Sequence, residues 1–220
     1  MAEFTLYCFA QSGNAYKAAL MLNLCGADWS PRFVDFFNGE TRTPAYRALN
    51  VMGEVPLLEH GAQRLSQSGV ILDYLSTHFG RFGGKDDAQR REVLRWLLFD
   101  NHKLTSYIAT LRYMLQFAKT GETPVTEWLR SRMGPALSVL DSQLGARPFV
   151  AGDEATIADV SLCGYLFWPD EFGVDWADWP DIARWLGRIS ALPGWVHPYA
   201  LMPGHPLPGR GEPSSPSPTR

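Results

Sequence analysis

The chain is short of cysteine, of long apolar runs and of charge of either sign in excess. Cys8, Cys25 and Cys163 are its only cysteines in 220 residues. An odd number at such wide spacing makes neither a disulfide frame nor a thiolate metal site. A reducing cytoplasm is therefore the expected compartment, and no metal is expected. No apolar stretch approaches the ~20 residues that cross a bilayer, so no membrane partner is expected. Residues 1–9 lack a basic n-region and a long apolar h-region, so no secretory leader is expected. The formal charge of −3 offers nucleic acid no basic surface. What remains is 45% hydrophobic and 20% charged, the usage of a soluble globular protein. The length allows one large domain or two small ones.

Local pattern divides the chain in two. Phe4 to Phe9 reads as a buried strand and Gln11-Ser12-Gly13-Asn14 as a turn and helix cap. A helix is predicted over Ala15–Leu24, stopped by Gly26, then a strand over Arg32–Phe37 and a short helix over Thr43–Leu49. Val55–Glu59 and Gln63–Leu65 form a predicted hairpin through His60-Gly61, with a helix over Ser68–His78 after it. This order predicts an α/β, thioredoxin-like domain over residues 1–79, with a mixed sheet between helices. A glycine-bearing linker over 80–86 leads to an all-α helical domain over 87–202.

In that second half Leu94, Leu97, Leu98, Leu104, Ile108, Leu111 and Leu115 recur at three- and four-residue steps, predicting one face of a long helix. A second helix is predicted over Val125–Leu144, bent or interrupted at Gly134-Pro135. Thr156 and Asp159 have capping-box spacing, which reads Asp159 as structural. Another helix is predicted over Asp181–Leu192. Residues 203–220 are rich in Pro, Gly and Ser and are expected to stay disordered.

Two segments of the first half point to a ligand. Gly53-Glu54-Val55-Pro56 holds Val55 extended, because proline bars its predecessor from the helical region. A cis Val55-Pro56 bond would turn the Val55 amide and carbonyl outward, toward an extended peptide. Gln67-Ser68-Gly69 opens a helix, and free amides at a helix start suit an anion. An ordinary loop and an ordinary cap are the plain alternatives for each segment taken alone.

In their order and spacing these segments resemble the glutathione transferase superfamily over roughly residues 4 to 200, as a bacterial, serine-type, theta- or nu-like member. The resemblance implies a fold, a co-substrate and roles. Glutathione is the expected co-substrate, and an electrophilic, mostly apolar small molecule the expected partner. A homodimer is expected. Val55, with Pro56, would bind the cysteinyl backbone, and Gln67 and Ser68 the γ-glutamyl end. Gln67 departs from the usual Glu or Asp there. Arg42, or less directly Asn50, would meet the glycyl carboxylate. Tyr107, Tyr113, Met114, Phe117 and Trp168 are candidates for the second-substrate pocket, and helix core is the alternative for each.

Serine-type members carry their serine where this chain has Ser12. A free thiol of pKa about 8.5 is mostly protonated at neutral pH, and lowering it by about two units takes roughly 2.7 kcal/mol. A hydroxyl donating to a charged group supplies on the order of 1.5–3 kcal/mol. A helix N-terminus adds about 0.3–1 kcal/mol. Together these reach the required scale without a general base. Ser12 as a mere cap is the alternative. Asn14 is the first rival as donor to the sulfur and Tyr7 the next. Cys8 reads as a buried strand residue, and His102 has no acid–base partner in sequence. The implied activity is glutathione transfer. Its alternatives are a glutathione-dependent disulfide or peroxide reductase and a non-catalytic binding module.

Overall fold

The computed structural model describes residues 2–207. Strand β1 (Phe4–Cys8) buries every side chain but Thr5. Helix α1 (Gly13–Cys25) comes next, capped by Ser12 and closed by Gly26, whose φ of 68° lies where a Cβ is costly. Strand β2 (Trp29–Phe33) runs parallel to β1. Helix α2 (Pro44–Leu49), the hairpin of β3 (Leu57–His60) and β4 (Gln63–Ser66), and helix α3 (Ser68–Phe79) complete the first domain. The sheet order is β2-β1-β3-β4, and β3 is antiparallel to both neighbours. This is the mixed thioredoxin-like sheet that the element order predicts.

Strand β2 begins three residues and ends four residues earlier than the pattern predicts, and it contains Pro31. It is an edge strand, where a missing N–H breaks little of the ladder. Residues 34–37 leave the sheet instead. Phe36 stacks on Phe9 at 5.0 Å between ring centroids, and Phe37 meets Phe9 edge-on at 5.7 Å. That aromatic group forms one wall of a cavity at the sheet's edge.

The second domain is helical: α4 (Asp87–Phe99), α5 (Thr105–Arg112), α6 (Pro124–Gly145), α7 (Ile157–Leu162), α8 (Pro180–Ser190) and the short α9 (Pro198–Leu201). The long helix predicted across 94–115 lies within one helical run over 87–117, but its single apolar face is corrected. Two wide π-helical turns, Asp100–Leu104 and Tyr113–Phe117, interrupt it. The inward stripe of α4 is Val93 and Trp96, whereas Leu94 and Leu98 are exposed. Each wide turn adds backbone to the spiral and re-aims the side chains beyond it. An interruption of α6 at Gly134-Pro135 is also ruled out, for the helix runs through Pro135. Proline leaves the Ser131 carbonyl without its helical partner, and Ser131 is exposed, so water can take that bond.

One apolar core runs through both domains, with α1 at its centre. Inside it sits an ion pair: Lys17 Nζ donates to Asp100 Oδ2 at 2.7 Å, both side chains only 1% exposed. Thr105 and Ser161 hydroxyls donate to the same carboxylate, so α1 is tied to α5, α7 and the turn after α4. Beyond α9 the chain returns to the first domain. Pro203 O accepts from the Ala10 amide and Gly204 O from Gln11 Nε2. Residues 208–220, most of the segment expected to stay disordered, lie outside the described residues.

Candidate active site

The loop between β1 and α1 opens at the C-terminal edge of the sheet. There Ser12 is 6% exposed, and its Oγ accepts from the Ala15 amide at 3.1 Å. The cap uses an oxygen lone pair and leaves the hydroxyl proton able to donate. Gly13 comes next because nothing larger fits: a Cβ there would lie 2.4 Å from the Tyr165 ring. That close approach brings Tyr165, from the turn after α7, against the start of α1. Burial pushes the Tyr165 phenol up; Arg112 and the Asn14 and Gly13 amides pull it back.

A cavity of about 230 Å³ adjoins Ser12. Its walls come from both domains. Gln11, Ser12 and Asn14 line it at the start of α1, and Glu54 and Val55 from the loop before β3. Phe36 and Phe37 supply an aromatic side, and Arg112, Tyr113 and Phe117 come from the end of α5 and the wide turn after it. The Val55-Pro56 bond is cis, and neither the Val55 amide nor its carbonyl pairs with another described backbone group. Ser68 Oγ donates to Asn14 Oδ1 at 3.5 Å, so the start of α3 meets the start of α1. The two helix N-termini thus adjoin, a positive potential suited to an anion, although Gln67 and Ser68 do not themselves line the cavity.

Gln67 precedes α3 with φ 69° and ψ 117°, a strained region for a residue with a Cβ. Its Nε2 donates to Glu54 Oε2 at 3.2 Å, so a carboxylate stands beside the neutral amide. Pro56 is buried behind Val55. Among the pocket candidates, Tyr113 and Phe117 line the cavity and Tyr107, Met114 and Trp168 do not. Tyr107 packs edge-on against Trp128 at 5.9 Å, and Met114 is half-buried with its carbonyl bound by Thr120. Trp168 lies buried under Arg112, whose guanidinium stands 3.7 Å from its ring. Arg42 is exposed at the end of the turn Glu40–Arg42 and does not line the cavity. Asn50 is buried and bonded to Glu54 O, which fixes the loop instead.

Several lining residues escaped the sequence, Arg112, Gln11 and Tyr165 among them. Arg112 is 1% exposed and donates to Gln11 O at 2.6 Å, Glu171 at 2.7 Å and Tyr199 Oη at 3.0 Å. It is the cation among the described residues of the cavity wall. A lone Arg in an apolar helix gives no sign of this, because its partners lie 59 to 101 positions away. Gln11 also lines the cavity, and its buried Oε1 has no hydrogen-bond partner among the described residues. Tyr165 gives no local signal either. Tyr7, a rival to Ser12, donates to Glu59 on the strand face and is not part of the cavity wall. Burial and Glu59 hold its phenol protonated. A larger cavity of about 980 Å³ between the end of α3 and the start of α4 does not include Ser12.

Comparison with known proteins bears on this geometry. Residues 2–77 match the family model for the glutathione S-transferase N-terminal domain, and residues 102–193 that for its C-terminal domain. The maleylacetoacetate isomerase of Pseudomonas aeruginosa is 30% identical over 88% of this chain and 95% of its own. A crystal structure of a glutathione S-transferase from Pseudomonas fluorescens superposes with a TM-score of 0.84 at 33% identity, covering 89% of this chain and 98% of its own. A glutathione transferase homologue from Drosophila mojavensis, solved with bound glutathione, is 26% identical with a TM-score of 0.81, covering 91% of each chain. Among the described residues no helix is long and apolar enough to cross a membrane.

Proposed function

The chain belongs to the glutathione S-transferase family, and from that premise we propose that it ionises the glutathione thiol beside Ser12 and delivers the sulfur to an electrophilic carbon. One observation carries the reading: Ser12 Oγ, already fixed as the cap of α1, borders a cavity that both domains line. In this reading the Ser12 hydroxyl donates to the thiolate and the α1 amides add their dipole. The unpaired Val55 amide and carbonyl take the tripeptide backbone. Ser68 with the amides at the start of α3 takes its γ-glutamyl carboxylate. Glu54, behind Gln67, supplies the negative charge for the adjacent amine that a Gln at this position lacks. Arg42 would have to swing inward to reach the glycyl carboxylate. The electrophile rests on Phe9, Phe36, Phe37, Tyr113 and Phe117, and holding both reactants together makes the encounter local.

Ser12→Ala is expected to lower kcat/KM for glutathione and an aryl halide by about ten- to a hundredfold, the worth of a hydrogen bond to a charged group. The ultraviolet thiolate band of bound glutathione should fall with it. Asn14→Ala is the control. Retained activity in Ser12→Ala with loss in Asn14→Ala moves the donor to Asn14, and retention in both sinks the mechanism.

A second reading has its own support, since the isomerase relative is 30% identical over nearly all of its length. An isomerase adds the thiolate to an unsaturated bond and expels it after rotation, so glutathione is required and not consumed. Counting glutathione consumed per product separates the two. Reduction through the protein's own thiols is less supported, because all three lie buried or half-buried. We also propose that two copies pair. Val70 on α3 and Leu94 and Leu98 on α4 are more than half exposed, an apolar face that a second subunit would cover.

A further inference from the structure

At the other end of β1 from Ser12, three side chains with metal-ligating atoms converge. Glu3 precedes β1, His60 ends β3, and His78 lies in the last turn of α3. Their ligand atoms all lie within 4.8 Å of one another. His60 Nε2 stands 3.3 Å and His78 Nε2 3.6 Å from the same atom, Glu3 Oε1. These separations exceed the ~2.7–3.2 Å of an N–H···O bond. The shorter one matches instead the edge of a tetrahedron of donors about a zinc-sized ion, for which bonds of about 2.0–2.1 Å give edges of about 3.3–3.4 Å, and the longer one lies a little above it.

We infer that Glu3, His60 and His78 form a site for a borderline divalent transition metal such as Zn²⁺, with water completing the coordination. Two imidazoles and one carboxylate suit Zn²⁺, Co²⁺ or Ni²⁺ and not the all-oxygen preference of Ca²⁺ or Mg²⁺. The surroundings hold the ligands in place. The second nitrogen of His60, Nδ1, lies 2.7 Å from Tyr74 Oη. With its proton on Nδ1 and donated to Tyr74, His60 presents the Nε2 lone pair toward Glu3, the arrangement in which a ligating histidine is oriented by an outer hydrogen bond. Phe4 packs on His60 at 4.3 Å, and Phe79 and Tyr74 flank His78 at 4.7 and 6.2 Å. The remaining separation closes by rotation of His78, whose side chain is 34% exposed.

Such an ion ties the start of the chain to the end of β3 and the end of α3. It stands about the length of β1, roughly 15 Å, from the reacting end of the sheet. It stabilises the first domain by mass action and takes no part in thiol chemistry. The reading is therefore independent of the glutathione mechanism.

The test uses untagged, chelator-treated full-length protein without glutathione. Zn²⁺ titrated by calorimetry should bind once per chain and raise Tm, and Co²⁺ should give the intense visible bands of a four- or five-coordinate ion. His60→Gln and His78→Gln should abolish both signals. Tyr74→Phe, which leaves the three ligands in place, should weaken binding about 10- to 100-fold. Glutathione turnover of chelated wild type should stay unchanged. Absence of saturable one-to-one binding, or equal binding by the His60→Gln/His78→Gln double variant, overturns the site.

Discussion

At the residue scale, one hydroxyl has two separable duties. Ser12 Oγ accepts the Ala15 amide as a cap and, in the proposed mechanism, keeps a proton for the sulfur. Loss of the cap alone costs about 1 kcal/mol of stability, so Ser12→Ala should lower both stability and turnover. Ser12→Thr, which can keep both bonds, should restore both. The cysteines behave oppositely. Burial pushes the Cys8 thiol up to about 12 and Cys163 higher still, and Cys25 is raised by burial against a small pull from Arg81. Native protein at pH 8 should therefore react slowly with a thiol reagent, Cys25 first, and release all three thiols only on unfolding. The linkage has one sign. A thiol whose folded pKa lies above its unfolded value of about 8.5 holds its proton longer in the native state. Its contribution is complete below about pH 8 and is lost as pH rises toward 12, by up to about 1.4 kcal/mol per pH unit for each such group. Urea midpoints measured at pH 7 and pH 10 should fall at the higher pH, and equal midpoints would refute the buried assignment.

At the element scale, Asp159 organises the second domain. Burial pushes its carboxyl up, and four donors oppose that rise: the Val150 and Thr156 amides, the Thr156 hydroxyl and the Trp185 indole, at 2.9–3.0 Å. They join the start of α7 to α8 and to the turn before it. Asp159→Asn sets an NH₂ group against one pair of these donors, so at least one donor is left without an acceptor. That change should cost about 1–3 kcal/mol in a denaturant melt while leaving KM for glutathione nearly unchanged, because Asp159 does not line the cavity. The capping box was legible from the spacing of Thr156 and Asp159 alone. The wide turns of the α4–α5 rod were not. Leu94 and Leu98 obey the same periodicity as the buried Leu104 and Ile108, and a periodic pattern cannot tell a face that packs inward from one that awaits a partner.

At the scale of the whole molecule, the two domains share one core, pinned by Lys17 and Asp100 at the junction. The candidate cavity lies at that same junction, which is why neither domain alone carries its walls. In the proposed pairing, the exposed stripe of Leu94 and Leu98 is where a second copy would sit. Burying one leucine side chain contributes about 1.5–3 kcal/mol, and a symmetric pair buries Leu98 twice. Leu98→Arg should therefore weaken self-association at least about tenfold in sedimentation. A wild type that sediments as a monomer at micromolar concentration sinks the pairing.

Local chemistry along the chain was enough for the two-domain class, the element order of the first domain, the capped starts of α1 and α7, and the loop that sets Val55 beside Ser12. These depend on short-range sterics and on hydrogen bonds within a few residues. Only packing decided which aromatic rings of the second domain face the cavity. Only packing, too, seated Arg112 against Gln11 and gathered Glu3, His60 and His78 into one cluster. In each of these cases the partners are far apart in the chain, and the aim of a side chain depends on a helical turn count that a single wide turn changes.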